Sequence, residues 1–142
     1  MHVIAIDPGI VNTGLVHGFF ETKEVVHAGV YRPEVALDYL FKTFQDLPDE
    51  EFVVVVEDVT PRRLANPKVW GVTLALARIV GMFMLLCRIT DVKCVLQNPL
   101  VVKQNRGRLK TLGLDTDPAQ KREHLDEAYK HFLHYIEENS VG

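Results

Sequence analysis

Apolar positions change their spacing several times along the chain, and each change marks an element. His2 to Asp7 (HVIAID) is a short β-branched run that ends in a carboxylate just before the Pro8-Gly9 turn. Gly14 to Phe20 and Val25 to Tyr31 also have strand character, with the polar turn Glu21-Thr22-Lys23-Glu24 between them, so the first third predicts an antiparallel meander of three strands. Pro33 opens a helix over Glu34 to about Asp46, with Leu37, Leu40, Phe41 and Phe44 at helical spacing on one face. Phe52 to Val56 is an unbroken apolar run, the pattern of a strand buried on both faces, and it ends in Glu57-Asp58.

Beyond a loop from Thr60 to Pro67, a long helix is predicted from Lys68 to about Arg88 and a short strand from Val92 to Leu96. A last helix starts with Pro118 at its first position and runs to about Glu138, with Leu125, Ala128, Tyr129, Phe132 and Ile136 as its apolar stripe. Strand–helix alternation after a meander implies an α/β class, a mixed sheet with helices packed on it. The 142 residues fit one domain, 1–142. The helix from 68 to 88 is apolar on more than one face, which predicts either full burial or pairing with its twin across a homodimer axis. Gly71 to Cys87 carries Arg78 in its middle and falls short of the roughly 20 apolar residues of a membrane span. The chain starts almost at once on a strand, leaving no room for a signal peptide, and Cys87 and Cys94 have neither zinc nor disulfide spacing. The expectation is a cytoplasmic protein with reduced cysteines and no membrane partner.

Two carboxylates stand out. Asp7 and Glu57 each follow the most apolar strands of the chain, where a charge sits at the lip of the sheet, partly desolvated and on rigid backbone. Desolvated carboxylates need a counter-charge, and a hard cation such as Mg²⁺, or Mn²⁺ in its place, supplies one. If the two strands are neighbours, both acids reach one ion, and a third acid from the last helix would complete a centre suited to phosphodiester hydrolysis. The net charge of −3 lacks the basic excess usual for nucleic-acid binding. Its distribution matters more: Lys103, Arg106, Arg108 and Lys110 form an acid-free basic segment, and Arg62 and Arg63 follow Glu57 in a loop expected to overhang the acids.

Ile4-Ala5-Ile6-Asp7-Pro8-Gly9 followed by Thr13-Gly14 resembles the opening motif of the RuvC-type Holliday-junction resolvases. Val53-Val54-Val55-Val56-Glu57 is similar to that family's second motif, Val102-Lys103-Gln104 to its VKQ region, and His124-Leu125-Asp126-Glu127-Ala128-Tyr129 to the H-x-x-D-A element of RuvC-like nuclease domains. The resemblance spans nearly the whole chain with the motif order kept. It implies an RNase H-like fold, with a mixed five-stranded sheet of an antiparallel three-strand meander plus two parallel strands and helices on both faces. It further implies a dimeric, Mg²⁺-dependent endonuclease that cuts four-way DNA junctions, with Asp7 and Glu57 as metal ligands. The family often places an aromatic residue in the loop after the second motif, where this chain reads Val59-Thr60-Pro61.

Two residues compete for the third ligand. The H-x-x-D-A alignment selects Glu127, with His124 three residues before it as a possible general acid or base. Helix geometry places Asp126 at the border of the apolar stripe and Glu127 nearly opposite, which ranks Asp126 slightly ahead. His131 and His134 are read as solvated helix histidines. The competing functions are a nuclease for other branched DNA or RNA–DNA hybrids, a catalytically inactive DNA-binding dimer, and an actin-like nucleotide-binding domain, which would require a second such domain.

Overall fold

Period-two alternation in the first strand divides the molecule into two cores. In β1 (His2–Asp7), Ile4 and Ile6 point to one face of the sheet while Val3 and Ala5 point to the other, and all four are fully buried. The structure is a computed structural model that describes residues 1–59, 66–102 and 119–140. β2 (Thr13–Phe19) and β3 (Val25–Tyr31) complete an antiparallel meander, while β4 (Phe52–Glu57) and β5 (Lys93–Gln97) add in parallel on the other side of β1. The strand order is β3-β2-β1-β4-β5, the mixed five-stranded sheet expected from the sequence.

Helix α1 (Pro33–Asp46) and helix α2 (Trp70–Ile89) cover one face, packing Ala36, Leu40, Phe44, Ile79, Val80, Phe83 and Cys87 against Ile4, Ile6, Val54 and Val56. On α1 the buried stripe is Ala36, Leu40 and Phe44. Leu37 is half-buried and Phe41 is exposed, so the predicted face is rotated. A short 3₁₀ turn, Pro67–Val69, leads into α2, with the Asn66 side chain accepting from the Lys68 amide at 3.1 Å. A single turn, α3 (Pro99–Val102), follows β5. Helix α4 (Ala119–Asn139) lies on the opposite face, burying Leu125, Ala128, Phe132, Tyr135 and Ile136 against Val3, Ala5, Val16, Val53 and Val55. Its approach is close. A Cβ on Gly14 would run into the backbone carbonyl of His124, and one on Gly18 would meet the Phe132 ring at 2.6 Å. Glycine at 14 lets the α4 backbone rest on the sheet, and glycine at 18 leaves room for the Glu24 carbonyl and the Phe132 ring.

Helix α2 needs a correction. With its preceding turn it spans Pro67–Ile89, long and apolar enough to cross a membrane by length and composition. The window from Gly71 to Cys87 appeared short because it omitted Val69, Trp70 and Ile89. Topology nevertheless keeps this helix on the sheet: β4 and β5, which it connects, are adjacent parallel partners, and a membrane crossing between them would part them. The helix is apolar on both sides but buried on only one. Thr73, Ile79, Val80, Phe83 and Cys87 face inward, whereas Trp70, Leu74 and Leu85 are 51%, 55% and 56% exposed. Cys87 donates a hydrogen bond to Cys94 on β5, and both are free thiols.

At the end of the sheet away from Asp7, His2 Nδ1 lies 2.9 Å from His17 Nε2, and His17 Nδ1 lies 2.7 Å from the Tyr39 hydroxyl. Burial first, then the neighbouring His2 and His27, pushes His17 down to about 4. Its ring is therefore neutral at physiological pH, and the group is a hydrogen-bonded part of the core.

Candidate metal centre

Three parallel strands, β1, β4 and β5, end at the same edge of the sheet, and each ends in a polar residue on the α4 face. Side chains alternate along a strand, so Asp7 continues the row of Val3 and Ala5, Glu57 that of Val53 and Val55, and Gln97 that of Val95. The register pairs Ile6 with Val56 and Glu57 with Gln97, setting the three side by side. The carboxyl edge of parallel strands is where open α/β sheets place their ligands. The turn after Asp7 is fixed locally, since the Thr13 hydroxyl bridges the amide and carbonyl of Gly9, both at 3.3 Å.

Helix α4 faces these strand ends with His124, Glu127 and His131, a row at spacings of three and four residues. His124 Nδ1 lies 2.8 Å from Asp7 Oδ2. His131 Nδ1 lies 2.8 Å from Gln97 Oε1, and its Nε2 is 3.4 Å from Glu57 Oε1. Donor atoms of Glu57, Glu127 and His131 all fall within 4.8 Å of one another. Asp7 is only 5% exposed. Its carboxyl is held well above the ordinary 3.8, first by burial, then by a hydrogen bond with Glu57 and by the charges of Glu57, Glu127 and Glu123.

This arrangement fits a divalent cation. A buried carboxylate surrounded by three others is electrostatically unfavourable until a positive charge enters. The fully buried His131 Nε2 has no hydrogen-bond partner among the described residues and lies with Glu57 and Glu127 in the same cluster. Oxygen donors dominate, as Mg²⁺ and Mn²⁺ prefer.

Both predicted strand-end acids, Asp7 and Glu57, come together, and His124 joins them. Of the two competing acids on the last helix, Glu127 sits in the cluster, with Lys130 Nζ also 3.0 Å from its Oε1. Asp126 instead lies 3.4 Å from Arg122 Nε, one turn back on the same helix. The angular ranking put Asp126 ahead from a stripe drawn from apolar residues alone, whereas the structure groups Glu127 with Glu57 and His131. His131 is fully buried rather than solvated, and with Tyr135 it extends the inward face toward Glu127. His134 is partly exposed and pairs with Glu138 at 3.4 Å. His131 and Gln97 were missed. The signals were a polar residue directly after β5, as at β1 and β4, and the histidine spacing along α4. Arg62, Arg63, Lys103, Arg106, Arg108 and Lys110, and the Pro118 start of the last helix, lie outside the described residues.

By sequence, no family model and no curated protein matches the chain. Solved structures do. The chain is similar to RuvC of T. thermophilus in complex with Holliday junction substrate, with a TM-score of 0.68, 18% identity, and coverage of 96% of this chain and 93% of that one. A second Thermus thermophilus RuvC structure matches with a TM-score of 0.60, 20% identity and coverage of 96% and 97%. The yeast mitochondrial Holliday junction resolvase Ydc2 matches with a TM-score of 0.60, 12% identity and coverage of 96% and 80%. The fold is the RNase H-like fold of these proteins, over more than nine-tenths of the length of two of the three.

Proposed function

We propose that this chain is a RuvC-type endonuclease that hydrolyses phosphodiesters at four-way DNA junctions with the help of a divalent cation, Mg²⁺ or Mn²⁺. The observation that carries the reading is the convergence of Asp7, Glu57 and Glu127 at the carboxyl edge of a RuvC-like sheet. Structural neighbours that include a junction-bound RuvC support the choice of substrate.

In this reading Asp7, Glu57 and Glu127 would hold the cation, which would supply Lewis-acid activation of water and neutralise charge at the scissile phosphate. His124 has its Nδ1–H donated to Asp7 Oδ2, which leaves Nε2 as the proton acceptor of the ring. From there it can take a proton from attacking water and return one to the leaving oxygen. The rigid strand ends and the close seat of α4 on Gly14 position these groups before substrate arrives. Arg62, Arg63, Lys103, Arg106, Arg108 and Lys110 are proposed to contact DNA phosphates, which makes binding steeply salt-dependent.

The open face of α2 supports a homodimer, and two copies match the two equivalent strands of a four-way junction. Leu85→Glu should convert the dimer to monomer in sedimentation with little change in melting temperature, because Leu85 is exposed within one chain. It should also uncouple the two cuts on a junction. A dimer that survives this substitution would remove α2 from the interface.

A further inference from the structure

We propose that His131 is a nitrogen ligand of the cation held by Glu57 and Glu127, and that it biases the centre toward transition ions such as Mn²⁺ over Mg²⁺. The proposal rests on the metal-centre reading above and adds a ligand and a metal preference to it.

The tautomer follows from Gln97. Its amide oxygen is an acceptor 2.8 Å from His131 Nδ1, so Nδ1 carries the proton and donates. That leaves a lone pair on Nε2. Nothing among the described residues donates to it, and Glu57 Oε1, a carboxylate oxygen, lies 3.4 Å away. The buried Nε2 lone pair therefore forgoes the water it would have outside, beside a carboxylate oxygen that cannot donate to it when ionised. A cation held between the two would satisfy Nε2.

The spacing agrees. Neighbouring donors bound to one ion at about 2.0–2.2 Å sit roughly 2.8–3.1 Å apart in octahedral and roughly 3.3–3.6 Å apart in tetrahedral arrangements, and the two atoms, at 3.4 Å, are within a few tenths of an ångström of either. The setting agrees too. A ligating histidine characteristically donates its other ring N–H to a fixed acceptor, which orients the ring and raises its basicity, and Gln97 occupies that place. His131 is 0% exposed and rides on a helix packed against the sheet, so the ring is already aimed. An imidazole among carboxylates raises affinity for first-row transition ions, whereas Mg²⁺ gains little from nitrogen.

The test uses the full chain with Mn²⁺ and Mg²⁺ as probes. Calorimetry should find Mn²⁺ bound at least about tenfold more tightly than Mg²⁺. Pulsed electron paramagnetic resonance of the Mn²⁺-loaded protein should show hyperfine coupling to a histidine nitrogen. That coupling should persist in His124→Gln and vanish when His131→Gln is added, with Mn²⁺ affinity falling about tenfold or more and Mg²⁺ affinity much less. Loss of the coupling in His124→Gln alone would overturn the assignment, and this arm decides even if the double variant fails to fold. Equal affinity for the two ions would also overturn it. A wild-type chain that binds neither ion would instead refute the metal centre itself, which separates the two failures.

Discussion

Asp7→Asn is expected to abolish strand cleavage and, in the metal-free protein, to raise the melting temperature by several degrees. Both effects come from one cause. Asp7 is a buried carboxyl pressed by Glu57, Glu127 and Glu123, and its proton affinity is raised accordingly. A group raised in the folded state adds stability below its unfolded value, here the ordinary 3.8, and loses that contribution as pH rises through the folded value. At neutral pH the unfolded chain ionises this carboxyl freely while the folded metal-free site resists its charge, so the wild-type side chain works against the metal-free fold, and a neutral asparagine of the same shape does not. Removing the charge also removes a cation ligand, so activity should fall by about a thousandfold or more. Thermal melts from acid to neutral pH, with chelator and then with Mg²⁺ or Mn²⁺, check this directly. The variant should lead in chelator at neutral pH, the gap should close toward acid pH, and metal should rescue only the wild type. A folded Asp7→Asn protein with near-normal cleavage would refute the assignment.

Glu127→Gln should be nearly as inactive as Asp7→Asn, whereas Asp126→Asn should keep activity within a few-fold of wild type. Glu127 shares the cluster with Glu57 and His131, and its charge reaches Asp7. Asp126 Oδ1 lies 3.4 Å from Arg122 Nε one turn back on its own helix, and Asp126 is not in the group formed by Glu57, Glu127 and His131. Initial rates for the two variants, measured beside a circular-dichroism check of folding, separate the cases. Loss of activity in Asp126→Asn with Glu127→Gln intact would reverse the placement of α4 over the strand ends.

The sheet was legible in the sequence because its signals are local. β-branched runs that alternate or fill every position, closed by Pro8-Gly9 or by Glu57-Asp58, determine both where a strand ends and which acid it presents. The parallel neighbours β1 and β4 then bring Asp7 and Glu57 together, a consequence of topology that the motif order had already suggested. Helix α4 was harder. Its inward face includes His124 and His131, and a stripe drawn from apolar residues alone turns away from Glu127. Gln97 was missed for a related reason, since β5 was ended at Leu96, one residue short of its polar tip. On α2 the apolar pattern was visible but its division was not. Which side meets the sheet is decided by long-range packing of Val80 and Phe83 against β1 and β4, and the side left open includes Trp70, Leu74 and Leu85.

The central claim is junction cleavage, and a side-by-side assay tests it most directly. Equal concentrations of an immobile four-way junction, a flap, a linear duplex and an RNA–DNA hybrid would be incubated with the full chain and Mg²⁺ or Mn²⁺, with strand-specific labels to map each cut. The account predicts paired nicks on opposing strands of the junction, little or no cutting of duplex, and no products with chelator or with Asp7→Asn. Preferential cleavage of the hybrid or flap would keep the metal centre and discard the substrate. A folded, metal-loaded protein that cuts none of the four would contradict the account.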